Sequence, residues 1–316
     1  MRRADVLIYE ARRISRNLPN DAGDKAISDD ECLIYLNDAQ DRIQHLISSK
    51  KNLAKIFSTQ QIISVVGNQE SYSIPDRLLL NKQIDMVEYS VDGTLGNYVL
   101  LQKVELFNRD TNSSMYPWSY YKRSGQIFLQ PLPSTSQGSL RVTYERELDD
   151  LDIPRGVVSV ITGGTSAQFD SLTLDATANS YESTTPGWST EQYCSIVSAT
   201  GSRKCFNILI SNYNTGTNVI TPSPSPFLYT SNDSQIAVGD VAVFGKYKTT
   251  FSQLPDTCER YLIHYLAMEL FNRDSANDYQ KQAERVSEIE EDILSALASQ
   301  TSEIQYIPTL NQGEYW

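Results

Sequence analysis

The apolar residues of this 316-residue chain change their spacing twice, and that change limits its architecture more than any other feature. At the N-terminus Leu7, Ala11, Ile14 and Leu18 recur every three to four residues, the period of one helix face. Pro19-Asn20-Asp21-Ala22-Gly23 stops that helix. Ser28-Asp29-Asp30-Glu31 then reads as a capping box, in which the serine oxygen and the third-position carboxylate each satisfy an orphan backbone donor. Behind it Cys32, Leu36, Ala39, Ile43, Leu46 and Ile47 mark the apolar face of a second helix, expected to run to about Phe57.

From Gln61 the period falls to that of a strand. Gln61–Val66 and Ser71–Pro75, around Gly67-Asn68-Gln69-Glu70, predict a short hairpin. Further strands are expected at 82–91, 97–101, 118–123, 126–130 and 139–146, with Arg123-Ser124-Gly125 as a turn and Leu101–Phe107 as a short helix or turn. Helical spacing returns at Leu254-Pro255-Asp256, where proline sits at or near a first helical position. Cys258, Tyr261, Leu262, Tyr265, Leu266 and Leu270 belong to one helix ending near Asn272-Arg273-Asp274. Tyr279, Ala283, Val286, Ile289, Ile293 and Leu297 form the seam of the next. The short break between them predicts an antiparallel helical hairpin. The expected class is α+β: N- and C-terminal helices forming a bundle, with a β-rich middle and an inserted β domain.

Composition marks the insertion. Between Thr162 and Gln235 only seven of 74 residues are charged, while Ser, Thr, Asn and Gly dominate. Strand-like pieces fall at Gln168–Leu174, Tyr193–Ser198, Phe206–Ile210 and Asn218–Thr221, and Thr221–Pro226 must be an extended loop. The expected organisation is therefore residues 1–154 as helices and hairpins of a core, 155–245 as a β-rich insertion, 246–299 as a helical hairpin of the core, and 300–316 as an extended docking tail.

A formal net charge of −12 disfavours a general nucleic-acid binder, because neutralising phosphates needs an excess of Lys and Arg. It leaves room for a protein past which DNA slides. No apolar run approaches the roughly 18–20 residues of a membrane-spanning helix, and Glu10, Arg12 and Arg13 interrupt any signal-peptide core, which predicts a chain made and kept in a cytoplasm. Cys32, Cys194, Cys205 and Cys258 lack CxxC spacing and read as free thiols, Cys194 and Cys205 being the pair a hairpin could bring face to face. His45 and His264 sit among helical apolar residues, and no HExxH, GxxxxGK[ST] or GxSxG occurs; Gly163-Gly164-Thr165-Ser166 lacks the lysine of a phosphate loop. No enzyme activity, metal or cofactor is expected. The acidic run Glu145, Glu147, Asp149, Asp150 and Asp152 reads as a solvated turn. A second reading takes it, with Tyr181, Trp188 and Tyr193 as a sugar platform, for a glycan-binding or polysaccharide-cleaving protein.

Three features invite a contact role. Arg2, Arg3, Arg12, Arg13 and Arg16 make the first helix basic, either as a solvated face or as a contact for an acidic partner or DNA. In the last helix Glu284, Glu288, Glu291 and Asp292, with Asp274, Asp278 and Glu290, outweigh Lys281 and Arg285; such a face is solvated or lines a passage that repels phosphates. Ile304, Tyr306, Ile307, Leu310, Tyr315 and Trp316 are too apolar for a free tail and suit an arm that docks on a neighbour.

Ile27–Ile43 (ISDDECLIYLNDAQDRI) and Gly245–Ile293, with its strand, Leu-Pro-Asp, aromatic-rich helix, Arg-Asp and acidic final helix, carry a resemblance. The layout resembles tailed-bacteriophage head-to-tail connector (adaptor) proteins, the ring docked beneath the portal. The insertion at about 155–245 departs from many shorter adaptors. The resemblance implies a homo-oligomeric ring of twelve subunits with the portal protein and a downstream tail component as partners. Genomic DNA would pass through without specific binding, in the virion neck, and no membrane is involved. It also implies that the arginines and the tail meet portal or neighbour, and that the acidic helix lines the channel.

Overall fold

The computed structural model describes residues 2–18, 27–50, 53–75, 77–79, 84–93, 97–105, 113–114, 116–136, 138–175, 193–214, 216–230, 233–274 and 276–304. The chain is α+β, with helices at both ends and a β-rich middle. It divides into two compact units, one made of Met1–His45 with Leu148–Trp316 and the other of Leu46–Glu147.

In the unit Leu46–Glu147, period-two sequence builds two four-stranded sheets. The first runs Ser58–Ser64, Ser139–Glu145, Ile84–Ser90, Val99–Leu100, antiparallel throughout. The second runs Ser71–Ser73, Gln126–Gln130, Ser119–Arg123, Gln102–Lys103, with the last pair parallel. Val87, Tyr89, Leu140 and Val142 of the first sheet share one core with Tyr72, Tyr120, Ile127 and Leu129 of the second. Alternate residues enter that core, as a pleated strand requires.

Three expectations fail here for identifiable reasons. The segments 61–66 and 71–75 are not a hairpin: Ile62 lies opposite Arg141, whereas Tyr72 lies opposite Ile127. Val65 and Tyr72 both enter the core shared by the two sheets, which puts their strands in different sheets; the Tyr72 hydroxyl spans back to the Val66 N–H (3.0 Å) and carbonyl (3.1 Å). Leu101–Phe107 is not a helix over its described part. Leu101 N–H donates to Val87 O in one sheet while Gln102 and Val104 donate to Trp118 O and Tyr120 O in the other, which demands extended backbone. The second helix, α2, spans Asp29–Ser49 and ends well short of Phe57, where Ala54–Phe57 forms a separate 3-10 turn. The Ser49 hydroxyl donates to Leu46 O (2.7 Å), a local bond that competes with continuing the helix. Gly138, at φ +84°, is required for close approach: a Cβ there would stand 2.1 Å from Ser90 O.

The other unit joins helices to a barrel. Helix α1 (Ala4–Ser15) buries Ala4, Leu7, Ile8 and Ala11 and packs on α3 (Asp256–Asp274), which also packs on α4 (Ala276–Ile304). Tyr261 meets Glu290 and His264 meets Gln282, so α3 and α4 run antiparallel. The Ser28 hydroxyl caps α2 by accepting from Glu31 N–H (3.1 Å), but the Glu31 carboxylate pairs with Arg273 of α3 instead of completing the box.

Residues 156–244 contain a closed six-stranded barrel in the order Gly156–Thr162, Ser171–Asp175, Val219–Pro222, Arg203–Asn214, Tyr193–Val197, Val241–Phe244. Its interior holds Val158, Phe169, Leu172, Cys194, Ile196, Cys205, Ile208, Ile220 and Phe244. Phe169 packs on Phe227 and Tyr229 with centroids 5.2 and 5.8 Å away. All four cysteines are free and buried, so Cys194 and Cys205 are neighbouring core thiols and not a bridge. Burial pushes the Cys194 thiol up to about 12 and the Cys258 thiol up to about 11.

The chain enters and leaves the barrel at one place. Asp150–Leu151 pairs in parallel with Lys248–Thr249, and Asp152 N–H donates to Thr249 O (2.8 Å). On the same segment, three polar residues of α2 at steps of three and four bind backbone. Asn37 both accepts from Leu151 N–H (2.7 Å) and donates to Leu151 O (3.0 Å). Gln40 donates to Asp149 O (2.9 Å) and Gln44 accepts from Leu148 N–H (3.2 Å).

Phe169 is fully buried. Replacing it with alanine should lower the unfolding free energy by about 3–5 kcal/mol in urea denaturation, whereas alanine at the exposed Ile62 should change it by less than about 0.5 kcal/mol.

Candidate functional site

The first helix sorts its five arginines by burial. Arg12 is only 2% exposed. Its guanidinium donates to Ile27 O (2.6 Å), Asn17 O (3.3 Å), Asp29 Oδ1 (2.9 Å) and Cys32 Sγ (3.3 Å). Arg12 therefore ties the end of α1 to the start of α2 and is not a surface contact; the helix turns it onto the same side as the buried Ile8 and Ser15. Arg2 pairs with Glu10 and lies 3.5 Å from Glu259, and Arg3 pairs with Asp5 (2.8 Å). Arg13 and Arg16 are exposed, with no ion-pair partner among the described residues, and share the outer face of α1 with Val6 and Tyr9.

On α4, Val286, Ile289, Ile293 and Leu297 are buried and Glu284, Glu288, Glu291 and Asp292 are exposed on the opposite side. Arg285 pairs with Glu288 (2.6 Å), an exposed pair of small energetic weight. Glu290 turns inward, accepting a hydrogen bond from Tyr261 Oη (3.0 Å) and pairing with the Arg42 guanidinium (3.0 Å), which lies over the Tyr265 ring. Burial, with Glu290 beside it, pushes the Tyr261 phenol up. His264 is held from the other side: Gln282 Nε2 lies 2.7 Å from its Nδ1 and 3.2 Å from its carbonyl oxygen. Burial, then Arg260 and Arg285, keep the His264 ring below its ordinary value of 6.5.

The acidic run does not form one cluster. Asp149 and Asp152 are buried and partnered, which corrects the expectation of a solvated turn, while Asp150 is exposed. Gln253 donates to Asp149 Oδ2 (2.6 Å). Asp152 accepts from Arg155 Nε (3.0 Å), whose Nη2 reaches Asp30 (2.7 Å) on α2. Burial pushes the Asp152 carboxyl up against the pull of Arg155 and Lys248. Glu145 and Glu147 belong to the other unit, where Glu147 pairs with Arg77 (3.7 Å). Among the described residues no group of three or more His, Cys, Asp or Glu is placed to hold a metal ion, and no helix is long and apolar enough to cross a membrane. Tyr181, Trp188, Tyr306, Ile307, Leu310, Tyr315 and Trp316 lie outside the described residues.

Sequence reasoning passed over Arg155, Asn37, Gln40 and Gln44. The last three were signalled by their steps of three and four residues beside the apolar stripe of α2; Arg155 has a local signal in Asp152 three residues before it, while its other partner, Asp30, is 125 residues away.

Residues 7–156 match the model of the SU10 adaptor protein family, just under half of the chain. The match supports a phage adaptor protein, a structural component of the virion. No curated protein matches the chain.

Arg12→Ala should destabilise the protein by about 3–5 kcal/mol in denaturant titration, since it removes a buried guanidinium together with its ion pair and its bonds to the Asn17 and Ile27 carbonyls. Arg13→Ala should stay within about 0.5 kcal/mol. Because the folded pKa of His264 is depressed, the unfolded chain takes the proton first as pH falls. Its contribution is present above the unfolded value and is lost as pH drops through the folded one. Denaturation between about pH 7 and about pH 5 should show His264→Gln losing less stability than the wild type.

Proposed function

We propose that this chain is the structural adaptor of a tailed-phage head-to-tail connector. Copies form a ring, of twelve subunits, that docks beneath the portal protein, receives the downstream tail component and lets genomic DNA pass without gripping it. The observation that carries the reading is the family match over residues 7–156, which takes in most of α1, all of α2 and both sheets of the Leu46–Glu147 unit. The role is mechanical, without catalysis or cofactor. Its place is the virion neck, after synthesis in the host cytoplasm.

In this reading residues 1–154 and 246–299 form the connector core, 155–245 an insertion upon it, and 300–316 a docking tail. Two facts support the insertion. The family match stops at residue 156, where the first barrel strand begins, and the chain enters and leaves the barrel through the paired segments Asp150–Leu151 and Lys248–Thr249. A net charge of −12 supports a conduit that does not hold phosphates. The outward arginines Arg2, Arg3, Arg13 and Arg16 and the tail residues Tyr306, Ile307, Leu310, Tyr315 and Trp316 serve as contacts to portal or neighbour. Arg12 is withdrawn from that set by its burial.

Light scattering of the purified chain, alone and with portal, tests the proposal. A high-mass ring is expected, or a monomer that assembles only on the portal. A monomer indifferent to portal overturns it.

A further inference from the structure

Helices α1 and α4 each present an outward seam with the same step. On α1, Val6, Tyr9 and Arg13 are exposed, and Arg16, the left-handed C-cap just past Ser15, extends the line, at intervals of three, four and three residues; Val6 is 36% and Tyr9 55% exposed. On α4, Glu284, Glu288, Glu291, Ser295 and Ala298 are exposed at intervals of four, three, four and three. Alternating steps of three and four make the straight seam along which two helices pack.

The two seams are complementary in one orientation. The α1 seam is apolar at its N-terminal end and cationic at its C-terminal end. The α4 seam is anionic first, then small and uncharged. Set antiparallel, Arg16 faces Glu288, Arg13 faces Glu291, the large Tyr9 ring meets Ser295 and Val6 meets Ala298. A parallel arrangement would set both arginines against Ser295 and Ala298 and leave the carboxylates on Val6 and Tyr9. The buried side of each helix is the opposite one, and α3 packs on both. Arg13 and Arg16 find no ion-pair partner among the described residues of their own chain. Glu288 would exchange only its exposed pair with Arg285.

We infer that the α1 seam of one copy docks antiparallel on the α4 seam of the next copy. The inference rests on the ring reading above and names its subunit contact. Two different surfaces meet, so the contact is head-to-tail and can close into a ring. Glu288 and Glu291 are then subunit contacts and not channel lining.

Charge reversal in the full-length protein tests this. Arg13→Glu with Arg16→Glu, and separately Glu288→Arg with Glu291→Arg, should each raise the concentration needed for ring formation by at least about tenfold, with circular dichroism unchanged. The fourfold variant should recover most of that loss. Tyr9→Cys with Ser295→Cys should link copies to one another on mild oxidation, since the four native thiols are buried. Rings unaffected by either reversal, or lost in both and not regained in the fourfold variant, overturn the contact while the ring reading stands. So does a Glu288→Arg, Glu291→Arg ring that assembles normally but retards DNA, which returns these residues to the channel. A wild-type chain that stays monomeric with and without portal overturns both.

Discussion

The parallel pairing of Asp150–Leu151 with Lys248–Thr249 is the constraint from which the unit of Met1–His45 and Leu148–Trp316 follows. Parallel neighbours cannot be joined by a tight turn, so the chain must make a long excursion between them. That excursion is the barrel. Asn37, Gln40 and Gln44 satisfy the other side of the entering segment, so its backbone groups are partnered both by a strand and by helix side chains. Buried backbone requires such partners, and amides at helical spacing supply them without a further strand. Ala4 N–H donates to Thr250 O (2.8 Å), which ties the start of α1 to the leaving strand.

Charge is distributed by burial more than by sequence. The interior positions take guanidinium groups with exact partners: Arg12 on carbonyls and Asp29, Arg155 between Asp152 and Asp30. Arg155 holds its charge in a buried setting because Asp152 and Asp30 offset what burial opposes. In the other unit Arg141 forks onto both Glu88 oxygens (2.7 and 2.8 Å) and holds that carboxyl below its usual range. With cations used in this way, the exposed surface of α4 is left acidic, and only a few arginines of α1 face outward.

A structural adaptor needs a frame stiff enough to present its surface to other virion proteins. The helices supply such a frame. α3 is packed by α1 and α4, and an Arg42–Glu290 ion pair with a Tyr261–Glu290 hydrogen bond links α2, α3 and α4. The six described strands of the barrel close on one another, which suits a segment carried on a core.

Much of this was legible in sequence because it rests on local rules. The period change placed the helices at both ends and the strands Gln126–Gln130 and Ser139–Glu145 nearly to the residue, since alternation and turn residues act within a few positions. Composition marked the region that becomes the barrel. Pairing was not legible: Ser58–Ser64 chose Ser139–Glu145 over its sequence neighbour, because which sheet a strand joins depends on the core it helps to bury. The roles of charged residues were equally hidden. Arg12 and Arg13 are adjacent and alike in sequence, yet a 100° step around the helix buries one and exposes the other. The sequence by itself determined the helices at both ends, the strands with clear alternation, and that the closing helix is acidic. Only the tertiary structure decided which arginines remain outside to meet a partner, because burial is a property of packed faces and not of residue type.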